Sequence, residues 1–531
     1  MMYRRLAYLV ILFCIGPTVH AQNNPNIIFI LADDLGITDI NAFATHFTGA
    51  DKDDLFYETP HLDRLVAEGI AFSQSYANQL CTPTRAAILT GRIASRMGVT
   101  TATGSAKTYF NQALPVPVGS QPHDAWGHRD PIDAPQAWVN GHTNTALDPN
   151  VPSLPQVLAT HHAAFLGKWH LGGHGVPSRQ PSAHGFEELN FFDAGASKYF
   201  NWHDDWNRTQ PIYDTMPNGE CRVGYSSARS RFSYLTDDLS FRATQFIRQR
   251  AAMGESAKPF LLYYCPFAVH TPLQAPAETV AAFENKKQKG FLGHNNATYA
   301  AMLKHLDDSI GEIRATLEAT GLADNTLIVF SSDNGGVEYT EPVATDNQPF
   351  LGGKACLYEG GIRVPTIFYW PAYFEGGQWC DAIFDATDFL PTLAEMTNNP
   401  FPEDLDGLSA LPLLNDPKIS GPDRTLYWHY PFNVIVKHPR YGTPLTPHSA
   451  IRHGDYKLIW DWQGRLELYN IAEDPYEKDD LAHKNPALAK TLHEQLKSWL
   501  RLNVASVYWP TLNPAFDANA PGTAFKFHDL R

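Results

Sequence analysis

The sequence has few basic residues, few cysteines and no long hydrophobic run beyond its first residues. Its 531 residues include 41 Lys and Arg against 56 Asp and Glu, which gives a formal net charge of −15. Nucleic-acid-binding proteins depend on many phosphate contacts, so this acidic balance argues against that class of partner. An anionic ligand would have to be attracted by a local cationic pocket, because the overall field repels it. No segment after residue 21 is apolar over the length that a membrane-spanning helix requires.

The first 21 residues have the composition of a secretory signal peptide. Arg4 and Arg5 form a positive region, residues 6–15 are a short apolar run, and Val19-His20-Ala21 offers small residues at a cleavage site. We therefore predict that residues 1–21 are a signal peptide and that the protein is periplasmic or secreted. Cleavage would remove two arginines and no acid, which changes the net charge from −15 to −17.

Cysteine is scarce: the chain has six, and Cys14 lies in the predicted signal peptide. The remaining five are Cys81, Cys221, Cys265, Cys356 and Cys380. An odd number in an exported protein indicates that one of them serves a purpose other than a disulfide, and Cys81 is the natural candidate. The other four could form disulfides or remain buried thiols, and the sequence leaves both possibilities open.

A chain of this length suits one large α/β domain and a smaller one. Short aliphatic runs alternate with helical periodicity, and polar loops follow the apolar runs, which indicates a largely parallel sheet. We predict an α/β fold in which a large, mostly parallel or mixed sheet flanked by helices occupies residues 22–420. The predicted strands include 26–32, 260–264, 327–330 and 363–370, and the predicted helices include 60–69 and 299–319.

The sequence changes character after residue 420. Short segments separated by turn residues lie at 449–452, 456–460 and 465–469, and residues 487–500 have helical periodicity. We predict a C-terminal α+β subdomain, residues 421–531, in which a helix packs on an antiparallel sheet. Residues 101–150 are rich in Pro, Gly, His and aromatics without periodicity, which is typical of a long functional or disordered loop.

The segment that begins at Cys81 is the most informative part of the chain. Cys81-Thr82-Pro83-Thr84-Arg85 is followed by a run with helical character that ends at Thr90-Gly91. A helix beginning there would direct its backbone N–H groups and the positive end of its dipole towards the cysteine, an arrangement that suits an anion.

Acidic and amide side chains follow two predicted strands. Asp33 and Asp34 come directly after the strand at 26–32, and Asp333 and Asn334 come after the strand at 327–330. The carboxyl ends of strands are where ligands bind in open α/β sheets. Because carboxylate and amide oxygens suit hard cations, the four residues predict a Ca²⁺ or Mg²⁺ site.

Together these motifs resemble the type I, formylglycine-dependent sulfatases of the alkaline phosphatase superfamily. The resemblance rests on the Cys81 segment, on Gly167-Lys168-Trp169-His170-Leu171-Gly172, on His270 in His-Thr-Pro, on Lys354, on the YEGGIRVP segment at 358–365 and on residues 452–458 and 468–475. It implies an alkaline-phosphatase-like fold. It also implies that a maturation enzyme oxidises Cys81 to formylglycine (3-oxoalanine), and that Asp33, Asp34, Cys81, Asp333 and Asn334 hold one divalent ion, normally Ca²⁺.

The resemblance further implies the catalytic set: Cys81, Arg85, Lys168, His170, His270 and Lys354. In such a site a hydroxyl of the hydrated formylglycine attacks sulfur, His270 gives a proton to the departing alcohol, and a covalent sulfate hemiester remains. His170 then deprotonates the second hydroxyl, and sulfate leaves. The cation and the basic side chains neutralise the sulfate oxygens.

We therefore predict an exported sulfuric ester hydrolase that acts on a sulfated poly- or oligosaccharide. Aromatic-rich loops that could stack on sugar rings favour a saccharide, and Trp202, His203 and Asp204 are candidate substrate-binding residues. One alternative is a phosphonate or phosphate ester hydrolase of the same superfamily, which shares the metal and nucleophile. A second is an inactive carbohydrate-binding relative, which is disfavoured because every position that the chemistry needs is occupied by a competent residue.

Overall fold

The computed structural model of the chain describes residues 24–102, 137–144, 146–172, 179–192, 195–200, 202, 213–215, 221–223, 232–433, 436–443, 445–514 and 516. The predicted signal peptide lies outside the described residues, as does most of the predicted loop at 101–150. Within the described ranges, every helix is too short or too polar to cross a membrane.

Strands and helices alternate through most of the described chain, as the sequence predicted. The strands are β1 (Asn26–Ala32), β2 (Ile70–Tyr76), β3 (Trp138–Val139), β4 (His162–Lys168), β5 (Glu188–Phe192), β6 (Tyr213–Thr215), β7 (Cys221–Val223), β8 (Phe260–Cys265), β9 (Thr326–Ser332), β10 (Thr366–Tyr369), β11 (Gln378–Asp385), β12 (Thr425–Tyr430), β13 (His448–His453), β14 (Tyr456–Asp461), β15 (Leu466–Asn470) and β16 (Thr511–Leu512). The α-helices are α1 (Asn41–Thr48), α2 (Pro60–Glu68), α3 (Cys81–Thr90), α4 (Leu154–Val157), α5 (Leu235–Ala252), α6 (Ala277–Glu284), α7 (Ala297–Thr320), α8 (Glu359–Ile362), α9 (Phe389–Met396), α10 (Leu411–Asn415) and α11 (Pro486–Asn503).

The main sheet has the strand order β11-β2-β10-β9-β1-β8-β4-β5. All neighbouring pairs are parallel except those of β10, which runs antiparallel to both β2 and β9. The predicted mixed α/β sheet is therefore confirmed. The segment predicted as a strand at 363–370 does form one, and it is the member that reverses direction.

Helices cover both faces of this sheet. Along β1, Ile28 and Ile30 belong to one buried hydrophobic cluster, whereas Ile27, Phe29 and Leu31 belong to another on the opposite face. This alternation is what a strand buried on both sides requires, and it explains why β1 has no polar face in the sequence. The first cluster packs against α2, α5 and α7, and the second packs against α3 and α9.

The C-terminal region forms a separate antiparallel sheet in the order β12-β13-β14-β15. Leu492, Leu496 and Leu500 on α11 pack in one cluster with Ile451 and Leu458 of the sheet. The helix and the three later strands lie within a few residues of their predicted bounds, and the predicted antiparallel arrangement is confirmed.

Cys81, Cys265, Cys356 and Cys380 are all buried free thiols. Of the two possibilities that the sequence left open, the structure therefore supports unpaired thiols at the three positions 265, 356 and 380.

Candidate active site

Four adjacent strands of the main sheet, β9, β1, β8 and β4, end at one edge. The segments beyond these strands continue to pair: Asp33 N donates to Ala268 O at 3.1 Å, Val269 N donates to Asp33 O at 2.8 Å, and Asp333 N donates to Ala32 O at 3.2 Å. These bonds fix the loops side by side, so residues far apart in sequence meet where ligands bind in such sheets.

The predicted metal-binding residues meet at this edge. Ligand atoms of Asp33, Cys81 and Asp333 lie within 4.8 Å of one another, and so do those of Asp33, Asp34 and His270. All of these acids are fully buried. Buried carboxylates at this spacing repel one another and require cations to compensate their charge.

Asn334 provides a test of whether this group suits a hard cation. Its Nδ2 donates to Asp34 Oδ1 at 2.8 Å. Its Oδ1 is buried and has no hydrogen-bond donor among the described residues. A buried acceptor without a donor is costly unless something positive approaches it. An amide side chain that contacts one of three clustered carboxylates and has an unpaired oxygen fits a Ca²⁺ or Mg²⁺ ligand set.

Three basic side chains balance the three carboxylates. Lys168 Nζ lies 2.8 and 2.7 Å from the two oxygens of Asp33, and Lys354 Nζ lies 2.7 Å from Asp34 Oδ2. The Arg85 guanidinium donates from Nε and Nη2 to Asp333 Oδ2 at 2.9 and 2.7 Å. The same three basic side chains form a local cationic surface that can bind an anion, whereas the acidic molecule as a whole repels anions.

Cys81 is the first residue of α3, and the helix ends at Gly91, whose φ of 65° is left-handed. The cysteine therefore lies at the positive end of the helix dipole, as the sequence predicted. Arg85 follows four residues later on the same face of the helix, which brings its guanidinium beneath the cysteine to reach Asp333. Its Nη1 also donates to Lys168 O at 2.9 Å and so ties α3 to the end of β4.

Two histidines flank the site from opposite sides. His170 Nδ1 lies 3.2 Å from Cys81 Sγ. His270 Nε2 lies 3.5 Å from Asp34 Oδ2, and its side chain is 14% exposed, so this side of the site reaches solvent. The sequence predicted that Lys168 and His170 would share one face of an extended segment. Instead, β4 ends at Lys168, and a left-handed φ of 56° at His170 turns that side chain into the site.

The loop that carries Lys354 is fastened to both halves of the site. Lys354 N donates to Gly336 O at 2.9 Å, next to the acidic loop, and Ala355 N donates to Gln79 O at 2.8 Å, next to Cys81. Asp34 and Ala355 have left-handed φ values of 62° and 72°, which are costly for residues other than glycine. Such strain is held by surrounding structure and is concentrated at functional sites.

The electrostatic environment keeps the reactive groups neutral and affects two of the acids in opposite ways. Burial raises the pKa of Asp33 well above its usual value, although Lys168 opposes this. Burial raises the pKa of the Cys81 thiol, although Lys168 and Lys354 oppose this. Burial and the charge of Lys168 hold the pKa of His170 well below its usual value. Burial and Lys354 lower the pKa of His270 to about 3. Burial works to raise the pKa of Asp34, but Lys354 and His270 outweigh it and hold that pKa below its usual range.

The structure brings together every predicted catalytic and metal-binding residue. The predicted substrate contacts fare differently. Trp202 is fully buried in the main hydrophobic cluster, where its ring presents no accessible face to a ligand, and this argues against a substrate-binding role. His203 and Asp204 lie outside the described residues.

The sequence did not identify two residues that form hydrogen bonds to the backbone of the histidine segments. Thr82 Oγ1 donates to His170 O at 3.2 Å, and Tyr199 OH donates to the backbone of the turn that carries His270. Thr82 lies inside the Cys81 motif and could have been singled out there. Nothing in the sequence near Tyr199 indicates its partner, because 71 residues separate the two.

Comparison with known proteins gives consistent matches. Residues 25–399 match the family model described as Sulfatase, and residues 351–502 match one described as N-sulphoglucosamine sulphohydrolase, C-terminal. A protein of Formosa agariphila named Sulfatase is 29% identical over 91% of this chain and 90% of that protein. The N-acetylgalactosamine-6-sulfatase of Sus scrofa is 30% identical over 86% of this chain and 75% of that protein.

Among solved structures, the crystal structure of Ps i-CgsB in complex with k-i-k-neocarrahexaose is 27% identical to this chain. It superposes with a TM-score of 0.69 over 92% of this chain and 95% of that one. The similarity therefore extends over most of the length of both chains.

Proposed function

We propose that this chain, which belongs to the sulfatase family of sulfuric ester hydrolases, removes sulfate from a sulfated poly- or oligosaccharide. The observation that carries the proposal is the convergence of Cys81, three carboxylates and three basic side chains at one edge of the main sheet. The saccharide is supported by relatives named for N-acetylgalactosamine-6-sulfate hydrolysis and by the similar structure that holds a neocarrahexaose.

One calcium ion is the proposed cofactor. Asp33, Asp34, Asp333, Asn334 and residue 81 would hold it, since they supply hard oxygen ligands once the cysteine has been converted. When bound, the ion supplies positive charge that compensates the sulfate oxygens. The side chains of Lys168, Lys354 and Arg85 add to that charge and orient the sulfate group.

The proposed nucleophile is a formylglycine made from Cys81 by a maturation enzyme, and the reaction is proposed to pass through a covalent sulfate hemiester. The raised pKa of Cys81 supports this proposal, because a neutral buried thiol is a poor nucleophile. His170, 3.2 Å from Cys81 Sγ, is placed to take a proton from residue 81. Its depressed pKa keeps it in the neutral form that a base requires.

His270 is proposed to donate a proton to the departing alcohol. Its neighbours Lys354 and Asp34 have opposite effects on its pKa, which burial and Lys354 lower to about 3. An anionic substrate adds negative charge beside the imidazole, which raises that pKa and favours the protonated form when it is needed. Export to the periplasm or medium, through residues 1–21, completes the proposal.

The first test measures turnover of aryl sulfates, aryl phosphates and aryl phosphonates by protein produced together with a maturation enzyme. We expect preferential hydrolysis of the sulfates, followed by release of sulfate from defined sulfated oligosaccharides. Activity confined to the phosphorus esters would favour the phosphonate or phosphate hydrolase. Binding of saccharides without turnover by fully converted protein would favour the inactive relative.

The second test is the intact mass of the same protein. Conversion of the cysteine side chain to an aldehyde lowers the mass by roughly 18 Da. We expect that loss to map to the peptide containing residue 81 and the specific activity to rise in proportion to the converted fraction. Full activity in protein that retains an unmodified thiol would contradict the proposed nucleophile.

A further inference from the structure

The short segment Gly195–Phe200 contacts both of the histidines that flank the site. We infer that it is a positioning element, with Tyr199 fixing His270 and Gly195 fixing His170. The inference rests on the proposed function for the roles of the two histidines, but the contacts that carry it are independent of that function.

Tyr199 holds the turn from which His270 projects. Its hydroxyl lies 2.5 Å from Phe267 O and 2.8 Å from His270 O, and His270 N donates to Phe267 O at 2.8 Å. The hydroxyl therefore bridges the two ends of one tight turn. Val269, within that turn, donates from its backbone N–H to Asp33 O at 2.8 Å, so the same turn is also bonded to the acidic loop.

Tyr199 is itself rigidly held. It is fully buried, its backbone N donates to Gln274 Oε1 at 2.9 Å, and its ring stacks on Tyr234 at 5.6 Å between centroids. Burial keeps the pKa of the hydroxyl well above its usual value, so it remains a donor. A donor fixed in this way can set the position of His270 Nε2, which lies 3.5 Å from Asp34 Oδ2.

Gly195 acts on the other histidine through close contact. A Cβ atom at this position would lie 2.5 Å from His170 Nε2 and 2.7 Å from its Cε1. Those distances are shorter than van der Waals contact, so only glycine allows the ring to remain where its Nδ1 meets Cys81. The backbone at Gly195 thus forms a wall behind the imidazole.

The role of Tyr199 in positioning His270 is tested with Tyr199→Phe, which retains the ring and removes only the hydroxyl. If His270 protonates the leaving alcohol, displacement of His270 slows the hydrolysis of sulfate esters of weakly acidic alcohols more than the hydrolysis of nitrophenyl sulfate. We expect kcat/KM to fall by about tenfold or more for alkyl and sugar sulfates and by less than about threefold for nitrophenyl sulfate. Tyr476→Phe, which removes a hydroxyl bonded to Phe47 O and leaves the His270 turn intact, is the matched control.

The role of Gly195 in positioning His170 is tested with Gly195→Ala, because the added methyl group would displace the His170 ring. Because His170 is assigned to the step after the alcohol has left, we expect a rapid burst of nitrophenol followed by steady-state turnover that is slower by about 10²-fold. Ala196→Ser, at the exposed neighbouring position, is the control and should show no burst.

Three outcomes would overturn the inference. They are an equal loss for all leaving groups in Tyr199→Phe, the same loss in Tyr476→Phe, or a Gly195→Ala variant with wild-type kinetics. Failure of the proposed function is recognised separately, because the wild-type protein would then show no sulfate turnover. In that case the positioning is tested in two other ways. One is the rate of hydrolysis of phosphonate esters with the same range of leaving groups, and the other is hydrogen exchange in the turn at 267–270.

Discussion

Two buried ionic clusters in this molecule have almost the same composition and very different surroundings. The site cluster comprises Asp33, Asp34, Asp333, Lys168, Lys354 and Arg85. The junction cluster lies where the main sheet meets the C-terminal sheet and comprises Glu359, Glu477, Lys457, Arg363 and Tyr76. The side chains of Asp33, Lys168, Glu359 and Lys457 are all completely buried.

In the junction cluster, basic, hydroxyl and backbone N–H groups of the chain surround the two carboxylates. Lys457 Nζ lies 2.8 Å from Glu359 Oε1 and 2.9 Å from Glu477 Oε1. Tyr76 OH donates to Glu359 Oε2 at 2.8 Å, and Glu359 N donates to Glu477 Oε2 at 2.7 Å. Groups of the chain itself thus compensate both carboxylates, although Glu477 Oε1, beside Lys457, has no aligned hydrogen-bond donor among the described residues.

Left-handed backbone occurs in both clusters, at Asp34 and at Glu477. The site cluster differs in having a histidine that reaches solvent and a cysteine within 4.8 Å of two carboxylates. The comparison teaches that buried charge by itself does not mark a functional site. The distinguishing features are access to solvent and a reactive side chain among the charges, because a ligand must be able to reach the groups that act on it.

The largest expected effect is the loss of activity in Cys81→Ala. We expect hydrolysis of nitrophenyl sulfate to fall by at least about 10⁴-fold, because the precursor of the nucleophile is gone. The free energy of unfolding should change by no more than about 1 kcal/mol, since a small buried side chain is replaced by another. Cys380→Ala, at another buried free thiol, is the control and should keep its activity. Comparable activity in both variants would contradict the assignment.

Lys457→Met should have the opposite profile. It leaves Glu359 and Glu477 buried without their shared cation, so we expect the free energy of unfolding to fall by about 3–5 kcal/mol. Turnover below the unfolding transition should remain close to wild type. Denaturant unfolding measures the first quantity and nitrophenyl sulfate assays the second. Lys497→Met, at an exposed ion pair, should change neither. A stable but inactive Lys457→Met protein would show that the junction cluster serves the chemistry.

Calcium should stabilise the protein through the site cluster alone. At a concentration 100 times the dissociation constant, a ligand that binds only the folded state adds about 2.7 kcal/mol to the free energy of unfolding. We expect such a gain, reversed by a chelator, in the wild type and in Glu477→Gln. In Asn334→Ala most of it should be lost, because the unpaired amide oxygen is removed. An equal gain in Asn334→Ala would place the ion elsewhere.

The smallest expected effect concerns His448 in the C-terminal sheet. Burial lowers the pKa of His448 to about 4, so between about pH 6.5 and pH 4 the unfolded chain binds a proton that the folded protein does not. The free energy of unfolding therefore falls as the pH is lowered through that range, by up to about 1.4 kcal/mol per pH unit from this residue.

His448→Asn should remove this share of the pH dependence, as measured by urea unfolding at several pH values between 7 and 5. The matched control is His453→Asn, at the exposed other end of β13. It should leave the slope unchanged. A slope that is equally steep in His448→Asn would mean that other buried groups account for the loss of stability in acid.

Much of the fold could be predicted because the sequence patterns are local. The apolar run of β1, the periodicity of α2 and α7 and the turn-rich segments after residue 420 reflect burial within a few residues of each position. The direction of β10 could not be predicted in this way. Its short apolar segment fits either orientation, and hydrogen bonds to β2 and β9, which are distant in sequence, decide between them.

In the candidate site, too, some features could be predicted from local sequence patterns and others could not. The types of residue that bind a cation, bind an anion and transfer protons could be identified from motifs, several of which lie directly beyond a strand or at a helix start. The residues that contact the substrate could not be identified in this way. Trp202 has the composition of a sugar-binding residue, yet the surrounding hydrophobic side chains bury its ring completely.

By itself, the sequence determined which chemical groups this protein possesses and at which strand ends they lie, because strand ends and helix starts depend on local patterns of apolar residues. Only the tertiary structure decided which carboxylate pairs with which lysine, that Asn334 Oδ1 has no donor among the described residues, and that Gly195 and Tyr199 contact the two histidine segments. Those relations join residues up to hundreds of positions apart. They depend on packing within a few ångströms, to which no local pattern is sensitive.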